Sequence, residues 1–419
     1  MNIIDELEWR DAINQQTDAE GLRELTNTKA VSLYCGVDPT GDSMHIGHLI
    51  PFMVLKRFQL AGHRPVILIG GATGTIGDPS GRQSERSLQT MEQIQANVDA
   101  LTAQMKKLFV TESDNQVRMV NNYDWTHKIN VIEFLRDYGK NFSINTMLAK
   151  DVVSSRLESG ISFTEFSYQI LQSLDYLHLY QHEDVQLQVG GSDQWGNITS
   201  GLDLIRKKEG ADAKVFGLTI PLMLKSDGTK FGKSAGGAIW LDPKKTTPYE
   251  FYQFWANADD RDVVKYLKYF TFLTQEEIGV LEEKVQNEPH KREAQKALAE
   301  EMTRFVHGEE LLEQAKRITA ALFSGDIHSL TAEEIEEGFK EMPTFTSGRD
   351  SKNIVDWLVD LGIEPSKRQA REDITKGAIS LNGERVTDIG AEVTAEDAIG
   401  GRFIIIRKGK KNYSLVKLA

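Results

Sequence analysis

The chain has 419 residues, 40% of them hydrophobic, and a formal net charge of -13 at pH 7. That length suits about two to four domains, and no window holds the roughly 18 uninterrupted apolar residues that a helical membrane span needs. The acidic stretch 1–8 has no secretory pattern and the only cysteine, Cys35, can form neither an intrachain disulfide nor a cysteine zinc site, which together read as a cytosolic protein with no metal site of its own.

In chain order, residues 31–38 alternate as a strand, a helical pattern runs from about Ile46 to Leu60 before Gly62, and a second strand covers Pro65 to Ile69. Strand, helix and strand in that order make a βαβ unit, hence a parallel sheet with ligands at the strands' carboxyl ends. The tetrapeptide His45-Ile46-Gly47-His48 falls where the loop enters the helix. Its histidines share one face of the first turn, the free N–H groups there suit a triphosphate, and Gly47 leaves the backbone open to a flat base. Two ordinary helix-start histidines around a packing glycine would give the same tetrapeptide. Pro51 cannot donate to the ladder, which predicts a helix that begins later or bends there. Gly70 to Asp78 is glycine-rich after a strand but matches neither a P-loop nor a dinucleotide fingerprint; it reads as backbone close to a ligand, or as tight turns made for packing.

Ser162-Phe163-Thr164-Glu165 reads as a capping box, so a helix should run from Phe163 toward Tyr180. On it Tyr168, Gln172 and Asp175 share one face, next to Leu171 and Leu174. Either that face is solvated or its polar groups meet a bound partner such as an amino acid. Val185 to Val189 is another strand, and Gly190 to Gly196 turns into a helix ending near Arg206, the sheet's second half. Lys230-Phe231-Gly232-Lys233-Ser234 follows Asp227-Gly228-Thr229; lysines in such a polar segment could stabilise charge on a leaving pyrophosphate, although alone it would also suit a solvated turn.

From Pro248 to about Phe323 the pattern is helical throughout, predicting a separate all-helical domain, and residues 324–351 read as a linker around a short acidic helix, Ala332 to Phe339. The final 68 residues, from Lys352, hold 12 basic and 10 acidic side chains, so a slightly basic module follows an acidic body. In it Lys367, Arg368 and Arg371 form a helical stripe, Asn382-Gly383 marks a hairpin turn, and Arg407, Lys408, Lys410 and Lys411 add charge near the end. Such a surface suits phosphates, or is simply solvated.

The pair His45–His48 and Lys230–Ser234 resembles the two signatures of class I aminoacyl-tRNA synthetases, with Phe231 and Gly232 in place of the usual Met and Ser. In order, Tyr34-Cys35-Gly36-Val37-Asp38, Gly71 to Gly81, Phe163 to Asp175 and Gly190 to Trp195 are similar to bacterial-type tyrosyl-tRNA synthetases, and the likeness runs the length of the chain. It implies an α/β fold with a Rossmann-like parallel-sheet catalytic domain in 1–247, a helical anticodon-region domain in 248–323, the linker 324–351, and in 352–419 a module resembling the alpha-L RNA-binding fold of ribosomal proteins. The activity implied is activation of L-tyrosine with ATP to tyrosyl-adenylate, then transfer to the 3' end of tRNA(Tyr). By the same likeness Tyr34 and Asp175 hold the phenol hydroxyl, and Asp78, Tyr168 and Gln172 the ammonium. Cys35 and Asp193 meet the ribose, and Thr40 with His45 the γ-phosphate; Gly36, Asp38, Gly47, Gly191, Gln194, Lys233 and Ser234 complete the ATP subsite. Thr40, His45, His48, Lys230 and Lys233 are the catalytic set, and Lys367, Arg368, Arg371, Arg407, Lys408, Lys410 and Lys411 the tRNA-binding set. Magnesium is expected to arrive with ATP without a protein cage, and the protein is expected to be a cytoplasmic homodimer with tRNA spanning both subunits. Tryptophanyl-tRNA synthetases share the fold and signatures, but an aspartate accepting from a phenol argues for tyrosine. A small-molecule adenylyltransferase would have no use for the basic module, and a non-catalytic RNA-binding relative no need of His45, His48, Lys230 and Lys233.

Overall fold

A computed structural model describes residues 2–80, 89–229, 231–234, 237–340, 342–409 and 412–419, with the backbone alone at 233 and 234. They fall into two compact units, Met1–Thr246 with Phe254–Val306, and Thr247–Gln253 with His307–Ala419.

The first unit is built on six strands, β1 (Gln15–Gln16), β2 (Ser32–Val37), β3 (Arg64–Ile69), β4 (Arg118–Asn121), β5 (Val185–Gly191) and β6 (Phe216–Ile220), in the spatial order β1-β6-β5-β2-β3-β4. All neighbours are parallel except β1 on β6. The alternation expected for residues 31–38 does not translate into alternating burial: Ser32, Leu33, Tyr34 and Cys35 are all buried, because helices cover both faces of a central parallel strand. The order reverses between β2 and β5, a switch point at which the strand ends splay and leave a crevice. The helices Phe163–Glu183 and Trp195–Glu209 pack together beside it, closing a core of Tyr34, Leu68, Leu174, Tyr176, Ile198 and Leu202.

The helix Ile46–Leu60 begins at Ile46 despite Pro51 inside it, so the expected later start does not occur. The bond that Pro51 cannot make would go to the carbonyl of Gly47, within the first turn, where ladder bonds are few. Ser162 caps the Phe163–Glu183 helix by accepting from the Glu165 amide at 3.1 Å, while the buried Glu165 carboxylate is held by Arg156 at 2.9 Å.

The helical run contains Pro248–Ala256, Asp260–Phe270, Gln275–Asn287, Glu293–His307 and Glu309–Ser324, but it is not a body of its own. Its middle belongs to the first unit and its two ends to the second. The stretch 324–351 is no linker either. Ile327, Leu330, Ile335 and Phe339 are buried with Phe403, Ile405 and Leu415, and Thr344–Ser347 pairs in parallel with Asn412–Leu418. The glycines, serines and threonines that suggest a spacer are turn and cap residues around four apolar anchors. The second unit's five-stranded sheet alternates cleanly, with Phe403 and Ile405 facing that cluster and Ile404 and Ile406 facing Ile354, Trp357, Leu358 and Ile374. The Asn382-Gly383 turn joins Ile379–Leu381 to Glu384–Arg385 with φ of 50° and 94°, the left-handed pair of a tight hairpin. Among the described residues, no helix is long and apolar enough to cross a membrane.

Candidate active site

The crevice at the switch point is a cavity of about 650 Å³, and it takes in Tyr34, Cys35, Gly36, Asp38, Thr40, His45, Gly47, His48, Asp78, Tyr168, Gln172, Asp175, Gly191, Asp193 and Gln194. These come from the ends of β2 and β5, the loop after β3, one face of the Phe163–Glu183 helix and the first turn of Ile46–Leu60. Lys230 and the side chains of Lys233 and Ser234 lie outside the described residues, as do Gly81, Lys410 and Lys411.

At the floor, Asp175 is buried and accepts from Asn122 Nδ2 at 3.0 Å and Trp125 Nε1 at 2.9 Å. Burial pushes its carboxyl up to about 7; the two donors oppose that shift, and nearby Asp38 adds to it. The Tyr34 hydroxyl is buried with no hydrogen-bond partner among the described residues. Such a group costs ~1–3 kcal/mol unless something meets it, and the cavity is where that partner can enter. Burial, then the Asp175 charge, holds its phenol well above the usual range, so it stays a donor.

Around the floor runs a connected polar network. Tyr168 donates to Asp38 Oδ2 at 2.9 Å, and Thr73 donates to Asp38 Oδ1 at 2.7 Å. Asn122 links Thr73 to Asp175 and is itself fixed by accepting from the Ala72 amide at 2.7 Å. Gln194 donates to Asp78 Oδ2 at 2.8 Å, and Asn197 donates to Gln172 Oε1 at 3.1 Å. The carboxylates Asp38 and Asp78 thus line the same cavity as Asp175, a concentration of acidic groups that suits an ammonium group.

Gly36, Gly47, Gly190 and Gly191 also line the cavity, where no side chain stands between a ligand and the backbone. His45 is the helix N-cap, its Nδ1 accepting from the Gly47 amide at 3.1 Å, and His48 Nδ1 accepts from the His45 amide at 3.4 Å. The two rings stack at 3.7 Å, so both stand at the positive end of the helix. Burial raises the Asp193 carboxyl and holds the Cys35 thiol at about 12, an unreactive apolar wall.

Sequence reasoning passed over Asn122, Trp125, Thr73 and Asn197. Asn122 and Trp125 follow β4, a strand of four residues that the pattern did not reveal; Val117, Met119 and Val120 around Arg118, ending on two asparagines, were the available signal.

In the second unit Lys367, Arg368 and Arg371 are exposed on the helix Lys367–Thr375, and Lys367 pairs with Asp356 at 2.8 Å, an exposed contact of small worth. Lys408 differs. Its ammonium lies 2.9 Å from the buried Glu364 carboxylate and 3.6 Å from Asp373, so part of its charge is met inside the unit. Arg407 is half-buried, donating to Ser380 Oγ at 3.4 Å.

The family model described as tRNA synthetases class I (W and Y) matches residues 26–324 and with them the whole cavity, which defines the class of protein: a class I aminoacyl-tRNA synthetase. A second model, the tyrosine–tRNA ligase SYY-like C-terminal domain, matches residues 334–416. The chain is 80% identical to tyrosine–tRNA ligase 2 of Bacillus cereus (strain ZK / E33L) and 70% identical to tyrosine–tRNA ligase 1 of Enterococcus faecalis (strain ATCC 700802 / V583), over 418 residues and 100% of both chains in each case. A C-terminally truncated Aspergillus nidulans mitochondrial tyrosyl-tRNA synthetase superposes with a TM-score of 0.70 at 34% identity, over 77% of this chain and 94% of that one. A tryptophanyl-tRNA synthetase from Encephalitozoon cuniculi shares the fold, with a TM-score of 0.56 at 17% identity over 74% of this chain and 87% of that one. The chain belongs to the tyrosine–tRNA ligase family.

Proposed function

We propose that the cavity binds L-tyrosine with its phenol on Tyr34 and Asp175 and its ammonium among Asp78, Tyr168 and Gln172, with ATP against Gly36, Gly47 and Gly191. The observation that carries this is the buried, unpartnered Tyr34 hydroxyl beside a buried carboxylate. A phenol that donates to Asp175 and accepts from Tyr34 satisfies both groups; phenylalanine satisfies neither. A tyrosine carboxylate oxygen attacks the ATP α-phosphorus, the bond to the bridging oxygen breaks and pyrophosphate leaves. A terminal ribose hydroxyl of tRNA then attacks the activated carbonyl, AMP leaves, and the hydroxyl proton passes to solvent through the departing phosphate. No protein nucleophile is needed; catalysis is positioning plus stabilisation of developing charge by Thr40, His45 and His48, with Lys230 and Lys233 assigned by resemblance. Magnesium, carried on the triphosphate, adds charge neutralisation there.

The exposed Lys367, Arg368 and Arg371 suit the tRNA backbone, with Arg407, Lys410 and Lys411 in the same assignment. A homodimer is supported by the exposed apolar side chains Val131, Ile132, Leu135, Ile144, Leu157 and Phe163, all within one stretch of the first unit. The working place is the cytoplasm, where tRNA is charged. The test is ATP–pyrophosphate exchange with each of the twenty amino acids: exchange driven by tyrosine alone is expected, and equal exchange with phenylalanine would overturn the pocket assignment.

A further inference from the structure

Phe231 and Gly232, the two departures from the usual loop signature, are explained by what surrounds them. The Phe231 ring is buried among Phe254, Trp255, Tyr266 and Phe270, with ring centres 6.0, 5.8, 5.1 and 5.1 Å away and the Phe270 ring tilted by only 25°. One residue on, Gly232 has φ of 94°, and a Cβ there would stand 3.2 Å from the Gly47 nitrogen. The backbone at 232 therefore lies against the first turn of the helix Ile46–Leu60, where a serine would be both strained and crowded.

Beyond the signature the chain is bonded to that helix start. The Ile46 amide donates to the Ile239 carbonyl and the Leu241 amide to the Met44 carbonyl, both at 2.9 Å, and the Trp240 ring stands edge-on to His45 at 5.8 Å. On that flank the anchor is main-chain hydrogen bonding. On the other it is Phe231 in its aromatic socket.

The socket is fixed to the same helix. Tyr266 and Phe270 belong to Asp260–Phe270, and the carbonyls at that helix's end are gripped by two buried guanidiniums. Arg57 donates to the carbonyls of Lys268, Tyr269 and Thr271 at 3.1, 2.8 and 2.7 Å, and Arg10 to those of Lys268, Thr271 and Leu273 at 2.8, 3.2 and 2.7 Å. Arg57 and Gly47 lie on one helix, about 15 Å apart along its axis, so socket and histidines share one rigid support.

We propose that Phe231 is a positioning residue for adenylate formation: seated in its aromatic socket, it sets how the signature's backbone stands against the helix that carries His45 and His48. This rests on the reading of the cavity as the adenylate site. Phe231 lines the cavity, its carbonyl standing 3.8 Å from where a Cβ at Gly47 would be and its ring turned among aromatic side chains, so its loss is expected to act on the step in which charge develops on the phosphates more than on tyrosine binding.

The test is single-turnover adenylate formation in the full chain, with tyrosine affinity by equilibrium dialysis and a thermal melt beside it. Phe231→Ala should lower the rate on the order of 10–100-fold with tyrosine affinity within about twofold, and Phe231→Met should restore most of the rate. Phe270→Ala should give part of the loss, and the double variant should be no worse than Phe231→Ala, because both remove one contact. An unchanged rate, an equal fall in tyrosine affinity, a Met variant no better than Ala, or multiplying losses would each overturn the proposal. Failure of the unmodified protein to exchange pyrophosphate with tyrosine would instead strike the cavity reading beneath it.

Discussion

Replacing Asp175 by Asn keeps the side chain's size and removes its charge, which isolates what the carboxylate does. In the native pocket its two oxygens each accept from a fixed donor, Asn122 Nδ2 and Trp125 Nε1, and retain lone pairs for the phenol. An amide has one oxygen, so one of those donors must face an NH₂ group and lose its partner, at ~1–3 kcal/mol. The charge-assisted bond to the phenol, worth ~1.5–3 kcal/mol, is lost as well. The first cost falls on the free protein and the complex alike and so appears as lower stability; the second alone reaches the reaction, roughly a 10-fold to 160-fold fall in kcat/KM for tyrosine. Phenylalanine makes no such bond, so its far lower exchange should change by much less and the discrimination should collapse. Pyrophosphate exchange kinetics with both amino acids reads the two ratios directly. If Asp175→Asn lost tyrosine and phenylalanine activity in equal proportion, the damage would be general and the phenol-reading role refuted.

Because burial holds the Asp175 carboxyl at about 7 and a phenol donor favours its ionised form, binding tyrosine below that pH expels a proton. Tyrosine affinity should therefore rise with pH up to about 7 and level off above it; calorimetric titration showing a fall over that range would contradict the assignment. Gly70→Ala would put a Cβ 2.2 Å from Asp38 Oδ1 and 2.3 Å from Thr73 Oγ1, breaking the bond between them; exchange should fall at least about tenfold, and a variant of parental activity would show that the network does not shape the pocket. Reversing charge at Lys367, Arg368 and Arg371 to Glu should lower tRNA charging and reduce the slope of log affinity against log salt by about 2, with pyrophosphate exchange unaffected; an unchanged salt slope would remove the stripe from the tRNA surface. Gly279→Ala, inside the helix Gln275–Asn287 with nothing within 4 Å of the added methyl, should stabilise that helix by ~0.5–1 kcal/mol, seen as a higher urea midpoint.

The elements nearest the site were legible in the sequence because their signals are local. Ser162 capping, the spacing of Tyr168, Gln172 and Asp175 on one helical face, and the strand–helix–strand order around His45 each depend on residues within a few positions of one another. The Asn382-Gly383 hairpin was legible for the same reason, since its backbone demands residues that tolerate positive φ. What the sequence left open was every question of which distant segments meet. Asn122 and Trp125 gain their meaning only because β4 lies at the sheet edge that faces the Phe163–Glu183 helix, 50 or more residues away along the chain. Lys408 has the composition of a phosphate contact, and the fold turns it onto buried Glu364. The stretch 324–351 has the composition of a spacer, yet four apolar residues bury it, because burial depends on what another segment presents and not on local polarity. Periodicity and caps are written in neighbouring residues; ion-pair partners, unpartnered hydroxyls and domain limits follow from long-range packing, which only the tertiary structure decided.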